Sequence, residues 1–147
     1  MEIVELQSLT DSQTADLLTL MHELDPDIPV TAERVRRAVT APGTHFFAAL
    51  EEDGCVVGCA SLCLFDSPTG RKASIEDVVV LSSCRGQGIG RSLMERLIAF
   101  AGRELAPIDL QLTSRPARVA ANELYRSLGF EKRETNVYRM KLGSCCG

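Results

Sequence analysis

A chain of 147 residues is long enough for one compact domain and too short for two ordinary ones. Hydrophobic residues make up 45% of the chain and charged residues 24%, and these fractions exclude both a disordered tail and a fibrous repeat. The 16 lysines and arginines against 20 acidic residues give a net charge of −4, which argues against a nucleic-acid binder that needs a dominant basic surface. We therefore expect one domain over residues 1–147, with residues 143–147 as a flexible tail.

The beginning of the chain lacks the features of a targeting or membrane-spanning segment. No run of about 18 apolar residues occurs, and the first five residues show no basic region followed by an apolar one. We therefore expect a cytoplasmic protein that neither enters a membrane nor binds nucleic acid.

The cysteines form no recognisable metal or redox motif. No two of them stand in a CxxC pair and no histidine lies at ligand spacing, so neither a zinc site nor a redox pair is indicated. We expect reduced thiols and no metal. The six residues concerned are Cys55, Cys59, Cys63, Cys84, Cys145 and Cys146.

Hydrophobic periodicity predicts strands and helices along the whole chain. A strand and two helices come first, then a hairpin and a β-branched central strand, then helices that alternate with strands. Thr31 is typical of a helix N-cap and Gly129 of a C-cap, and Asp11 or Ser12 can cap the first helix. The predicted elements cover residues 2–9, 12–24, 31–39, 45–50, 55–65, 73–81, 89–103, 107–113, 117–128 and 130–142. The order β-α-α-β-β-β-α-β-α-β predicts an α/β fold with a mixed sheet.

A glycine-rich bend follows the predicted central strand. Glycines allow backbone N–H groups to converge, and the N-terminus of the following helix adds its dipole, so the bend can bind phosphate oxygens. Its spacing matches neither a P-loop nor the GxGxxG fingerprint, because the third glycine of the fingerprint would fall on Arg91. The alternative is that the glycines only make a tight strand-to-helix connection. The bend consists of Arg85, Gly86, Gln87, Gly88, Ile89 and Gly90.

Two motifs in the expected order resemble the GNAT superfamily of acetyl-CoA-dependent N-acetyltransferases. The pyrophosphate loop of that family reads Gln/Arg-x-x-Gly-x-Gly/Ala and is matched at Arg85, Gly88 and Gly90. A helix that carries Asn122 and Tyr125 and leads to Leu-Gly-Phe matches a second family segment. The resemblance extends over nearly the whole chain and implies a GNAT-like fold, acetyl-CoA as cosubstrate and the bend as its diphosphate site.

The same resemblance implies where the other ligand contacts lie. In the family the fourth and fifth strands splay apart, and the pantetheine arm of CoA bonds to the backbone of the fourth strand. That stretch corresponds to Val78, Val79 and Val80, whose side chains we expect to be structural. Asn122, one turn before the helix tyrosine, is predicted to bond the CoA arm or its phosphates. Residues 24–29 and the turn at residues 66–70 are expected to frame the acceptor pocket.

Glu76 and Asp77 interrupt an apolar strand, where carboxylates are costly to bury unless they face a cleft or a cation. Acetyl transfer needs a group that removes a proton from the amine, because an alkylammonium has a pKa of about 10. In a regular strand the two side chains point to opposite faces, although a bulge would change this. We predict that Glu76 is the base, acting through a water, and that Asp77 contacts the amine. The choice between them stays open, and the carboxylate that faces away from the cleft would form an ion pair.

Tyr125 occupies the family position whose phenol lies near the CoA sulfur, and the resemblance implies that it is the general acid. A thiol has a pKa of about 8.5 and a phenol about 10, so a hydrogen bond to the leaving sulfur is more favourable than full proton transfer. The alternative is a core tyrosine, because Tyr125 shares a helical stripe with Ala121, Leu124 and Leu128.

We therefore expect an N-acetyltransferase that acts on a small-molecule amine through a ternary complex, without a covalent enzyme intermediate. A second interpretation keeps the fold but acetylates a protein N-terminus or lysine, which requires an open, shallow groove. A third, of another class, is a non-catalytic acyl-CoA sensor. Residues 136–140 of the last predicted strand could extend a sheet across a homodimer.

Overall fold

The computed structural model describes residues 1–143, so residues 144–147 of the predicted tail, which include Cys145 and Cys146, lie outside the described residues. Two compact units are present, residues 1–112 and the residues from Thr113 onward. A 3₁₀ turn, Ser82–Cys84, precedes the third helix of the first unit, and a π-helical turn, Ala101–Leu105, follows it. The regular elements of this unit are β1 (Glu2–Leu6), α1 (Asp11–Leu24), α2 (Ala32–Thr40), β2 (Thr44–Leu50), β3 (Val56–Ser67), β4 (Gly70–Val80), α3 (Ile89–Phe100) and β5 (Asp109–Gln111).

The five strands form a mixed sheet in the order β1-β2-β3-β4-β5. The first four strands pair antiparallel, and β5 pairs parallel to β4. The pairing of β4 with β5 runs from Lys72–Asp109 to Ser74–Gln111 and stops there, so β5 is shorter than predicted. The second half of β4, residues 75–80, therefore has β3 on one edge and no strand of the described sheet on the other.

Helices cover both faces of this sheet. Strand alternation places Phe46 and Ala48 on one face and Phe47 on the other. On the opposite face from Phe46, the Phe100 ring of α3 meets the Phe47 ring edge-on, with the centroids 5.5 Å apart. The face towards α1 and α2 is closed by a cluster of buried residues that comprises Leu17, Leu20, Val35, Val39, Phe46, Ala48, Val56, Cys59 and Val79.

Threonine side chains determine where the first two helices begin. The Thr10 hydroxyl accepts from the Gln13 N–H, and the Gln13 side chain accepts from the Thr10 N–H, which is a capping box. The predicted N-cap at Asp11 or Ser12 is therefore one or two residues late. Thr31 caps α2 by accepting from the Arg34 N–H, as predicted.

The second unit contains one helix, α4 (Val119–Ser127), within the described residues. Gly129 turns the chain away from this helix, and its φ of 98° lies in the left-handed region. The Gly129 N–H donates to the Arg126 carbonyl and the Phe130 N–H donates to the Tyr125 carbonyl, both at 3.1 Å. These two bonds form a Schellman motif and confirm the predicted C-cap.

The predicted closing strand over residues 130–142 is wrong. Those residues form neither helix nor strand, and the described sheet contains only β1 to β5. Alternating hydrophobicity indicates that a segment can pair, but a strand forms only where it finds an edge with matching hydrogen-bonding groups. The predicted mixed α/β sheet is confirmed without this strand, and a sheet that continues across a homodimer stays a prediction. The large apolar side chains exposed there are Val137, Tyr138, Met140 and Leu142.

Truncation of one buried and one exposed isoleucine tests this layered packing. Ile75 is 4% exposed within the sheet, whereas Ile28 is 56% exposed. We expect Ile75→Ala to lower the free energy of unfolding by about 2–5 kcal/mol, because it leaves a cavity. Ile28→Ala is the matched control, with an expected change of about 0.5 kcal/mol or less. Urea denaturation measures both, and equal losses would contradict the layer assignment.

Candidate active site

Along the unpaired half of β4, only some of the valines direct their backbone N–H and C=O groups to the open edge of the sheet. The Leu81 N–H donates to a carbonyl of β3 at 2.9 Å. Because polar groups alternate in direction along an antiparallel strand, Val79 also directs its N–H and C=O to β3, and Val80 directs them to the unpaired edge. Arg85 Nε donates to the Val80 carbonyl at 3.3 Å, which agrees with this direction. The geometry therefore favours Val80, and Val78 two residues before it, over Val79 for backbone contacts with a ligand.

A β-bulge interrupts β4 at Asp77. The pairing with β3 shifts by one residue between Glu76 and Val79, so Asp77 and Val78 lie opposite a single residue of β3. Asp77 has a φ of 52°, in the left-handed region where a bulge usually has glycine. The Cys59 thiol donates to the Asp77 carbonyl at 3.6 Å. The bulge reverses the alternation, so Val79 and not Val78 joins the core against α1 and α2.

Glu76 lies on the side of the sheet that α1 and α2 cover, and the charge of Asp77 affects a thiol on that side. Glu76 pairs with Ser61, which pairs with Phe46 of the core, so Glu76 belongs to the face that α1 and α2 cover. Cys63 lies on this face as well. Burial raises the pKa of the Cys63 thiol, and the negative charges of Glu76 and Asp77 raise it further. The charges of two consecutive residues of β4 therefore both raise the pKa of the same thiol. The bulge accounts for this, because it interrupts the regular alternation of the strand at Asp77.

The two carboxylates differ in their immediate surroundings. The Ser74 hydroxyl donates to Glu76 Oε1 at 2.7 Å, whereas Glu76 Oε2 has no hydrogen-bond partner among residues 1–143. Burial of its carboxyl group raises the pKa of Asp77, and the negative charge of Glu76 adds to the rise, although the residue as a whole is exposed. Glu76 is thus a carboxylate with one oxygen held and one oxygen left for a proton. Within residues 1–143, no cation offsets the rise in the pKa of Asp77.

The glycine bend that leads into α3 is open above its backbone. Gly86 and Gly88 have φ values of 80° and 79°, which only glycine adopts readily. A Cβ atom on either would meet no heavy atom within 4 Å. The first helical hydrogen bond of α3 runs from the Ser92 N–H to the Gly88 carbonyl at 3.0 Å, so the amides of Ile89 and Gly90 precede it. An anion can therefore approach these amides closely.

Charge and helix orientation make the bend suitable for a diphosphate. The 12 residues of α3 direct the positive end of the helix dipole at the bend. Arg85 and Gln87 are both exposed beside the glycines and can add polar side-chain contacts. The bend therefore offers backbone donors and the positive end of a helix to phosphate oxygens, with open space above Gly86 and Gly88.

The Leu-Gly-Phe motif at the end of α4 holds Tyr125 in place. The residue is 7% exposed, and its ring meets the Phe130 ring edge-on with the centroids 6.2 Å apart. Burial raises the pKa of the Tyr125 hydroxyl, and the positive charge of Arg118 partly offsets the rise. The phenol thus keeps its proton at neutral pH and can donate a hydrogen bond. The Leu-Gly-Phe motif has a structural role here, because Phe130 fixes the tyrosine through both ring and backbone.

Asn122 stabilises the beginning of the same helix. Its Nδ2 donates to the Arg115 carbonyl at 3.0 Å, and its N–H donates to the Arg118 carbonyl at 3.0 Å. The side-chain nitrogen is thus engaged within the second unit. A contact of Asn122 with CoA stays a prediction, and its carbonyl oxygen is the atom available for it.

Sequence reasoning missed Ser74 and Cys63. Ser74 lies two residues before Glu76 and so shares its face, which strand periodicity alone could have indicated. Cys63 could not be found in this way, because its position opposite Ser74 depends on the register of β3 and β4. The cysteines among the described residues form no disulfide, as predicted, and these are Cys55, Cys59, Cys63 and Cys84.

An apolar depression of about 330 Å³ lies beside the end of α1. It is formed partly by the segment that connects α1 to α2, where residues 24–29 were expected to frame an acceptor pocket. Neither Glu76 nor Asp77 lines it. Its lining residues are Leu18, His22, Pro26, Ile28, Pro29 and Val30.

Residues 1–143 contain neither a membrane-spanning helix nor a candidate metal-binding group. None of their helices combines the length and the apolar character needed to cross a bilayer. No three of their His, Cys, Asp or Glu side chains are grouped so that they could hold a metal ion.

Comparisons with known proteins point to one family. The family described as "Acetyltransferase (GNAT) family" matches residues 6–130. N-acetyltransferase 8 of Rattus norvegicus is 36% identical over 92 residues, which cover 61% of this chain and 40% of that protein. The chain thus matches less than half the length of this curated relative.

Solved structures show the same fold. An acetyltransferase of Trypanosoma brucei aligns with a TM-score of 0.73 at 26% identity, over 96% of this chain and 99% of that one. The aminoglycoside N-acetyltransferase AAC(6')-Iy, solved with a CoA-based bisubstrate analogue, aligns with a TM-score of 0.75 at 18% identity, over 97% and 98% of the two chains.

The raised pKa of Asp77 predicts how stability depends on pH. A carboxyl whose pKa is raised by folding stabilises the folded state only while it is protonated, and that contribution is lost as the pH rises through the folded-state pKa. Asp77→Asn removes the charge and keeps a residue type that tolerates the left-handed backbone. We expect the variant to unfold at a higher urea concentration than the wild type at pH 7.

The difference should shrink as the pH falls towards the ordinary Asp value of 3.8. Asp77→Ala removes the same charge and is the backbone control, and it should be less stable than Asp77→Asn at every pH because alanine is strained at this φ. An Asp77→Asn protein that is less stable than the wild type at pH 7 would contradict the assignment.

Proposed function

Because the chain belongs to the acetyltransferase (GNAT) family, whose members are acyltransferases, we propose that it transfers an acetyl group from acetyl-CoA to a primary amine of a small molecule. The observation that carries the proposal is that the unpaired edge of β4 leads directly into the open glycine bend. An extended arm that ends in a diphosphate can follow such a path. The CoA-based analogue bound by AAC(6')-Iy supports the same choice of cosubstrate. We further propose that the protein works in the cytoplasm.

The bend would hold the diphosphate and the strand edge would hold the pantetheine arm. The amides of residues 86–90 and the Arg85 guanidinium supply donors for phosphate oxygens. The outward backbone groups of Val78 and Val80 can bond the amides of the arm as a strand would. Val79 contributes to this site by keeping β4 in the sheet, and Asn122 is proposed as an additional contact through its side-chain oxygen.

Acetyl-CoA supplies a reactive thioester, and the protein has to orient the amine and help remove two protons from the acceptor ammonium. Glu76 Oε2 accepts the first proton through a water, while Ser74 holds the other Glu76 oxygen in place. The amine nitrogen then forms a bond to the acetyl carbon, the carbon–sulfur bond breaks, and the second proton passes through solvent to the CoA thiolate that leaves. Asp77 attracts the ammonium form of the acceptor by its charge. No metal is needed for these steps.

Tyr125 would donate a hydrogen bond to the leaving sulfur. Its raised pKa keeps the phenol protonated, and the Phe130 ring limits the orientations of the side chain. A thiolate of pKa about 8.5 does not need the full proton of a phenol, so the hydrogen bond itself stabilises the developing charge.

A second candidate function is acetylation of a protein N-terminus or lysine. The observation that favours it is that both carboxylates are exposed and that neither lies in the apolar depression beside α1. An open site of this kind admits an amine that is attached to a peptide chain. The two candidates therefore differ in how much of the acceptor must fit around Glu76.

A thiol-release assay with acetyl-CoA decides between these functions. The purified protein is assayed with a panel of small amines, including an aminoglycoside, and with peptides that carry a free N-terminus or lysine. Turnover on small amines supports the first candidate and turnover only on peptides supports the second. Binding of acetyl-CoA without turnover on any amine would identify the non-catalytic sensor and contradict both.

Two conservative substitutions test the proposed roles with whichever acceptor is active. We expect Glu76→Gln and Tyr125→Phe each to lower kcat at least about ten-fold, because each removes one proton-handling group and little volume. Glu33→Gln and Tyr138→Phe change the same residue types at exposed positions and should leave kcat within about two-fold. If neither site variant slows transfer more than a few-fold, the role assignments are wrong.

A matched pair of glycine variants tests the diphosphate site. Gly88 and Gly54 have φ values of 79° and 87°, and a Cβ would meet no heavy atom within 4 Å at either. Asp is strained to a similar degree at these two φ values, so Gly88→Asp and Gly54→Asp should lose similar amounts of stability. We expect Gly88→Asp to weaken CoA binding at least about ten-fold, since it places a side chain and a negative charge against the phosphates. Calorimetric titration with CoA measures this, and equal affinities in the two variants would refute the proposed site.

A further inference from the structure

The last turn of α1 is tied to the entrance of the glycine bend by a single side chain. Glu23 Oε2 accepts from the Ser82 N–H at 2.8 Å, and Glu23 Oε1 accepts from the Ser82 hydroxyl at 3.1 Å. The two residues are 59 positions apart, so this contact is tertiary. Because both carboxylate oxygens are engaged, the contact fixes the orientation of Ser82 as well as its distance.

Ser82 in turn determines where the bend begins. It opens the 3₁₀ turn, in which the Cys84 N–H donates to the Leu81 carbonyl at 2.9 Å and the Arg85 N–H donates to the Ser82 carbonyl at 3.4 Å. These bonds join Ser82 to Arg85 within one hydrogen-bonded turn. A shift of Ser82 would therefore act directly on Arg85, the first residue of the bend.

On its other side, Glu23 is adjacent to the wall of the apolar depression. The chain leaves α1 after Leu24, and Asp25 caps the helix by donating its N–H to the Met21 carbonyl. The Asp27 N–H then donates to Asp25 Oδ1 at 3.0 Å, which closes a tight turn. The segment from residue 25 to residue 30, called the α1–α2 segment below, supplies four of the residues that line the depression.

We propose that Glu23 is a positioning residue that couples CoA binding at the glycine bend to the α1–α2 segment. The proposal rests on the proposed function, because it takes the bend as the CoA site. When bound phosphates restrict the motion of the bend, the contact between Ser82 and Glu23 also restricts the last turn of α1. The α1–α2 segment, which lines the depression, is then restricted as well. CoA binding then favours an ordered α1–α2 segment, and linkage makes the effect reciprocal, so that an ordered segment favours CoA binding.

The charge of Glu23 cannot be the reason for its position. A carboxylate beside an anion site weakens anion binding by charge repulsion. Glu23 therefore contributes through its two hydrogen bonds to Ser82 and not through its charge. A glutamine can form both of them, because its oxygen accepts from the Ser82 N–H while its nitrogen donates to the Ser82 hydroxyl oxygen. The proposal therefore predicts that glutamine preserves the coupling and that alanine abolishes it.

The chain offers a matched control on the same helix. Asp16 lies two turns before Glu23, and its Oδ2 accepts from the Val56 N–H at 3.0 Å. This bond also ties α1 to the sheet through a carboxylate and a backbone amide, but it ends at Val56, beside the Val57 carbonyl that accepts from the Leu81 N–H, and it does not involve Ser82. Asp16→Ala and Glu23→Ala should thus lose comparable stability, which separates a structural effect from coupling.

The test measures CoA affinity by calorimetry and amide hydrogen exchange over residues 24–31 with and without saturating CoA. It compares the wild type with Glu23→Gln, Glu23→Ala, Ser82→Ala and Asp16→Ala. In the wild type, Glu23→Gln and Asp16→Ala, we expect CoA to slow exchange at least about three-fold in this segment. In Glu23→Ala we expect no slowing and about ten-fold weaker CoA binding, since two hydrogen bonds to a charged group are lost. Ser82→Ala keeps the amide contact and should fall between.

The results distinguish this inference from the proposed function. CoA binding to the wild type without slower exchange in residues 24–31 would overturn the coupling and leave the proposed function intact. The same would follow if Glu23→Ala retained the slowing, or if Asp16→Ala lost it equally. A wild type that does not bind CoA at all would overturn the proposed function and this inference with it.

Discussion

The end of the β4–β5 pairing is the constraint on which the other features of the site depend. Because the last pair is Ser74–Gln111, the remaining residues of β4 keep one edge open, and this edge leads through a 3₁₀ turn into the glycine bend. In the proposed site, backbone groups would supply the binding surface on both the strand and the bend. A run of valines can then bind a ligand, since the Val79 side chain joins the core while the outward N–H and C=O groups of Val78 and Val80 remain available.

The bulge at Asp77 places the carboxylates beside that edge. A regular strand would direct Glu76 and Asp77 to opposite faces. The extra residue of the bulge interrupts this alternation and returns Val79 to the core. The left-handed φ of Asp77 is the local cost, which Asp tolerates better than most residue types. Ser74 then fixes one oxygen of Glu76, so the last paired residue of β4 also orients the proposed base.

Features that depend on local patterns were predictable from the sequence, and features that depend on register or long-range contact were not. The cap at Thr31, the glycine bend and the C-cap at Gly129 each follow from residue type and spacing. The bulge requires a non-glycine residue at positive φ, which no composition signal marks. The contact of Glu23 with Ser82 spans 59 positions and leaves no trace in either neighbourhood. The closing strand over residues 130–142 was wrong because alternation does not reveal whether a partner edge exists.

A crystal structure of the protein with CoA tests the central claim most directly. The account predicts diphosphate oxygens within hydrogen-bond distance of the amides of residues 86–90, and a pantetheine arm that bonds to the outward backbone groups of β4 between Val78 and Val80. A coenzyme bound at another place, with the open edge of β4 and the bend in contact only with solvent, would contradict it.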